Sequence, residues 1–114
     1  MNDPENKPPA EGQLAESTDP AELRARLNTE TARIEWQALA PHFARGVVVV
    51  VSPELDLVEV AAAFVENDKA SVSEWMESDK LERASDDDAR GWSESDKELW
   101  AVVVAPWVLV QDRA

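Results

Sequence analysis

Apolar positions along this chain change their spacing from segment to segment, and each spacing predicts an element. Leu23, Leu27 and Ile34 fall on one helical stripe, while Arg24, Arg26, Glu30 and Arg33 face elsewhere. This helix opens at Asp19, which is placed to cap it. Pro20 suits the first helical position and Glu22 has capping-box spacing. It is expected to run to about residue 33. A second, shorter helix is expected over residues 35–45. Pro41 must kink or restart it, and Gly46 can take the left-handed conformation that closes helices.

Residues 47–51 are five valines in a row. A β-branched run without polar alternation predicts a strand buried on both faces. Asp56, with Glu59 three residues on, opens the next helix, and Leu57, Val60, Ala61, Phe64 and Val65 give it a wide apolar face. It should stop near Asn67. Asp68 is placed to cap a further helix, whose buried stripe is expected to be Val72, Trp75 and Met76. Ser85 followed by Asp86, Asp87 and Asp88 predicts a short helix carrying Trp92, with acids gathered at its positive end.

The chain closes on LWAVVVAPWVLVQD and two further residues. This run predicts one strand or two, expected to pair with residues 47–51. Proline cannot donate a ladder hydrogen bond, so Pro106 marks a bulge, a corner or an edge. In an uninterrupted strand Trp107 would lie on the face opposite Trp100. A one-residue bulge would return Trp107 and Leu109 to the face of Trp100.

The predicted fold class is therefore α+β: a small two- to three-stranded sheet (about 46–51 and 99–111) packed by four to five helices. Residues 1–18 hold Pro4, Pro8 and Pro9 and a single leucine, and read as a disordered acidic tail. Residues 19–112 read as one domain. So small a sheet leaves an exposed edge, and a homodimer that pairs two such edges is one expected way to cover it.

The segments RGVVVVVSPELDLVEVA and VVVAPWVLVQ, with a Trp-bearing helix between them, resemble a family of small uncharacterised bacterial proteins, a domain of unknown function. LDLVEVA followed by PWVLVQ is the signature, and the similarity spans about residues 20–112. The resemblance implies one bacterial cytoplasmic domain and brings no site residues with it.

Composition narrows the chemistry. With no cysteine, disulfides, zinc–thiolate sites and thiol nucleophiles are excluded. The start lacks the basic and apolar regions of a signal peptide, and no apolar run approaches the roughly 18–20 residues of a spanning helix. A soluble, cytoplasmic protein is expected. The net charge is −13, unevenly spread: residues 20–46 carry three acids and four arginines, residues 47–68 five acids and no base, and residues 69–98 ten acids and five bases. Such a surface repels a phosphate backbone, so direct nucleic-acid binding is not expected, nor is binding to an anionic membrane.

Candidate sites must be weighed against plainer readings. Asp86, Asp88, Gly91 and Glu94 fall at positions 1, 3, 6 and 9 of a calcium-binding EF-hand loop. Arg90 and Lys97 would then occupy ligand positions 5 and 12, which argues for a capped helix start instead. His42 is the only imidazole; as a general base it would need Ser52 or Asp56 beside it after folding. The spacings of Asp19/Glu22 and Asp56/Glu59 are those of helix caps, and glycines at 12, 46 and 91 cannot build a phosphate loop. No cofactor or metal is expected.

Five tryptophans with no tyrosine are an unusual ratio. Periodicity buries Trp75, Trp100 and Trp107. Trp36 and Trp92 are less constrained and suit interface anchors, and Glu94, Asp96 and Glu98 beside Trp92 suit a partner with a basic surface. The leading functional class is thus a non-enzymatic interaction or regulatory module acting through residues 69–98. An alternative is a nucleic-acid mimic, although five bases interrupt its row of acids. A third class is a small enzyme using carboxylates, His42 and Mg²⁺.

Overall fold

A computed structural model of the chain describes residues 19–95 and 97–112. The expected tail, residues 1–18, lies outside them. The described residues form five helices and one five-stranded mixed sheet. In chain order these are α1 (Pro20–Glu30), β1 (Ala32–Ile34), α2 (Trp36–Ala44), β2 (Val48–Val51), α3 (Leu57–Val65), α4 (Lys69–Glu77), β3 (Leu81–Arg83), α5 (Asp86–Ser95), β4 (Leu99–Val104) and β5 (Trp107–Gln111). The sheet runs β1-β4-β5-β2-β3; β2 and β5 are parallel and every other pair is antiparallel. No helix among the described residues is long and apolar enough to cross a membrane.

The class is α+β as expected, but the sheet is larger than the two or three strands predicted. β1 and β3 are the additions, each three residues long. A strand that short shows no period-two alternation, and both are defined by the neighbour they pair with. β1 also corrects the first helix, which ends at Glu30 rather than near residue 33. Thr31 turns extended, and both its backbone N–H and its hydroxyl donate to the Leu27 carbonyl, closing the helix. Ile34, expected on the α1 stripe, lies instead in β1 opposite Leu99.

The valine run behaves as predicted. Val49 and Val51 join a core with Leu27 of α1, with Leu57, Val60, Ala61 and Ala62 of α3, and with Leu109. Val48 joins a second core with Leu39 of α2, Trp92 of α5, Val108 and Val110. Alternate residues of one strand thus feed two cores, one on each face of the sheet, and complete burial of a Leu or Val contributes roughly 1.5–3 kcal/mol. The closing run is two strands. A two-residue turn at Ala105-Pro106, whose peptide bond is cis, sets Val104 opposite Trp107. This turn, not a bulge, puts Trp107 and Leu109 on the face of Trp100 and Val102.

Local chemistry places the helix ends. Asp19 accepts from the Ala21 N–H, and Asp56 from the N–H groups of Val58 and Glu59. Asp68 accepts from both the N–H and the hydroxyl of Ser71. Ser85 and Asp88 form a reciprocal cap: the Asp88 N–H donates to the Ser85 hydroxyl at 3.0 Å, and the Ser85 N–H to the Asp88 carboxylate at 2.9 Å. Gly46, Asn67 and Asp79 take positive φ where α2, α3 and α4 end. The Arg24 guanidinium makes a two-pronged contact with the Glu59 carboxylate that ties α1 to α3 and raises the guanidinium pKa.

Candidate functional site

α4 is the exception in this packing. Each of the other four helices buries at least one residue, whereas α4 buries none. Its stripe Val72, Trp75 and Met76, predicted as buried, is only partly covered: Val72 and Trp75 rest against the first core, and Met76 is 54% exposed. Asp68 caps one end of α4, and the Lys80 N–H donates to the Trp75 carbonyl past the other. The helix is therefore held at its termini and by Val72 and Trp75, while the Met76 end of its apolar face stays open.

That face borders a groove of about 770 Å³. Lys69, Val72, Ser73 and Met76 of α4, with the last turn of α3 through Val65, make one wall. Val49, Leu81 and Val104 make an apolar floor from three strands, and the Ala105-Pro106 turn with Trp107 makes the far lip. The Arg83 guanidinium lies 5.5 Å from the Trp107 ring centre, in cation–π contact, fixing a charged cover over the aromatic lip. Val65 is 47% exposed, so two of the three exposed large apolar side chains border this groove. The third, Val103, is 59% exposed beside Val104 on the other sheet face. Asp68, Lys69, Glu82 and Arg83 supply the groove's charges. Its lining joins an apolar floor to charged edges.

A family model described as a protein of unknown function (DUF2288) matches residues 22–112. The chain belongs to that family. It is also similar to the NMR solution structure of PA1075 from Pseudomonas aeruginosa, at 44% identity and a TM-score of 0.72, covering 91% of this chain and 94% of that one. No curated protein matches.

Within this DUF2288 domain the residues singled out by sequence are dispersed. Trp92, expected as an exposed anchor, is the only one of the five tryptophans that is buried, at 8% exposure. It packs on Trp36 at 6.4 Å between ring centres, and Trp36 packs on Phe43 at 5.8 Å. The two side chains that suited interface anchors are thus partners of each other across α2 and α5. Trp75, Trp100 and Trp107, expected inside, are partly exposed. Glu94 and Glu98 are exposed, and Glu98 pairs with Arg33 at 3.4 Å. Asp96 lies outside the described residues.

The remaining candidates are accounted for locally. The segment tested as a calcium loop is helix from Asp86 to Ser95, with Asp88 committed to Ser85 and Asp87 to Arg90. His42 Nδ1 lies 2.7 Å from an Arg45 guanidinium nitrogen. A guanidinium only donates, so Nδ1 is the acceptor there. Among the described residues no group of three His, Asp or Glu side chains is arranged to hold a metal ion. The groove was missed because its floor comes from strands far apart in sequence. Its one sequence signal was the α4 stripe.

Proposed function

We propose that this domain is a non-catalytic protein-interaction module that binds a partner with a basic surface through the acidic region 69–98, with the contact centred on the α4 groove. The observation that carries this reading is α4 itself: a capped helix whose apolar stripe is only partly covered by the core and leaves Met76 54% exposed beside the groove. Water against Val65 and Met76 is unfavourable, and a partner that covers them gains roughly 25 cal/mol for each Å² of apolar surface removed from water. The net charge of −13 favours encounter with cationic surfaces. Trp36 and Trp92 support the fold in this reading rather than the contact.

The test sets the intact chain beside its Met76→Asp variant, both immobilised and exposed to a bacterial lysate in graded salt. A partner held by the intact chain in moderate salt, and lost from a variant of unchanged melting temperature, is the expected result. A partner held equally by both would move the contact off the groove, towards Glu94 and Glu98. No partner on either would turn attention to metabolite and metal screening.

A further inference from the structure

We infer that the groove receives an amphipathic helix of another protein, with apolar side chains at helical spacing and lysines or arginines along its flanks. This rests on the interaction-module reading and commits it to one kind of partner. The first reason is the shape of the open wall. Lys69, Val72, Ser73 and Met76 stand at offsets of three, four and seven, so they form one stripe along α4, about 10 Å long at 1.5 Å per residue. A stripe of that spacing is complementary to another helix laid along it, whose own ridges fill the gaps between these side chains.

An extended peptide has less to hold. It would have to add to β3, the edge strand beside the groove. The Ala84 N–H already donates to Val48, and the Lys80 carbonyl accepts from Ser52. By the alternation of an antiparallel ladder, only Leu81 and Arg83 of β3 turn their backbone groups outward. Two residues are a short template for strand addition, and one of them carries a charge.

Charge separates the remaining occupants. In residues 63–83, from the last turn of α3 through β3, Asp68 and Glu82 line the groove with Lys69 and Arg83. The excess acids, Glu66, Glu74, Glu77 and Asp79, are exposed on the same segments without lining it, and Lys80 is the third base. Of those bases, Lys80 is paired with Glu54 at 3.3 Å and Arg83 is engaged with Trp107. A second copy of the chain would bring another −13 against this surface. Residues 1–18 carry four acids and one base, the wrong sign for a segment with this excess of acids. A cationic helix is attracted, and like-charged competitors are turned away before contact.

Selection from random peptides of about four helical turns tests this directly. They are captured on the intact chain and counter-selected on Met76→Asp. That variant adds a negative charge, so a cationic peptide that binds it more weakly has not lost charge attraction but apolar contact. The expected survivors share apolar residues at helical spacing with Lys or Arg flanks, bind Met76→Asp about tenfold more weakly, and shift the Trp107 indole resonance on binding. Met76-dependent survivors that are acidic, neutral or extended would overturn the basic-helix inference and leave the interaction-module reading standing. No Met76-dependent survivors would overturn both. Sedimentation showing a dimer of the intact chain that Met76→Asp dissolves would replace the foreign helix with a second copy. Should Met76→Asp fail to fold, Val65→Asp on the neighbouring wall reads the same outcomes.

Discussion

The Gln111 side-chain amide donates to the Leu55 carbonyl at 2.7 Å, joining residues 56 positions apart, and to the Ser52 carbonyl at 2.9 Å. It is the buried polar side chain of the core, and through these two bonds the end of β5 holds the loop that leads β2 into α3. Replacing Gln111 by Leu keeps the bulk, takes the amide donor from the Leu55 carbonyl and leaves the Ser52 carbonyl with the Leu55 N–H alone. Urea unfolding of Gln111→Leu should show a loss of roughly 1–3 kcal/mol. An unchanged midpoint would mean that water or a loop shift satisfies Ser52 and Leu55 equally well.

Trp92 is expected to behave as core. Trp92→Ala should cost about 3–5 kcal/mol in equilibrium unfolding, the range for emptying a large aromatic site. Trp36→Ala should cost less, because its ring is only partly buried. A Trp92→Ala chain of undiminished melting temperature would restore this residue as a candidate surface anchor.

The cap of α5 can be taken apart residue by residue. Ser85→Ala should lose about 1 kcal/mol, as loss of an N-cap hydroxyl typically does. Since Ser85 and Asp88 satisfy each other reciprocally, Asp88→Ala on top of Ser85→Ala should cost less than it does alone. Strict additivity in a double-mutant cycle would contradict the reciprocal cap.

Acid should weaken the start of α4. The hydroxyl of Ser71, and then its backbone N–H, hold the Asp68 carboxyl below the ordinary aspartate value. A carboxyl that binds its proton more weakly in the folded chain adds stability that is complete above the unfolded value, about 4. That contribution drains as pH falls through the lower folded value. Over this window the intact chain should lose more stability than Asp68→Asn, which keeps a neutral cap. The opposite ordering in paired acid titrations would reverse the sign of the effect.

Much of the architecture was legible where a segment's own pattern determines it. Five valines require a strand covered on both faces, and Asp56, Asp68 and Ser85 announce helix starts through their own side-chain chemistry. β1 and β3 were not legible, because Ala32-Arg33-Ile34 and Leu81-Glu82-Arg83 carry no strand pattern and acquire their state from the neighbours they pair with. The tryptophans show a second limit. Periodicity says which side chains share a face, but not whether anything covers it. Trp92 on an acidic helix finds Trp36, while Met76 on a regular apolar stripe finds open space. The groove was illegible for the same reason, since Val49, Leu81 and Val104 meet only once the sheet has formed.

The strand order also bears on when the sheet can close. β5, the last strand made, is the middle strand of the sheet. Without β4 and β5 the chain has a β2–β3 pair and a β1 that share no ladder, and only the packing of α1 on α3 links them. The valine run gains its parallel partner, and β1 its only partner, from the same β4–β5 hairpin, so one hairpin completes both sides of the sheet.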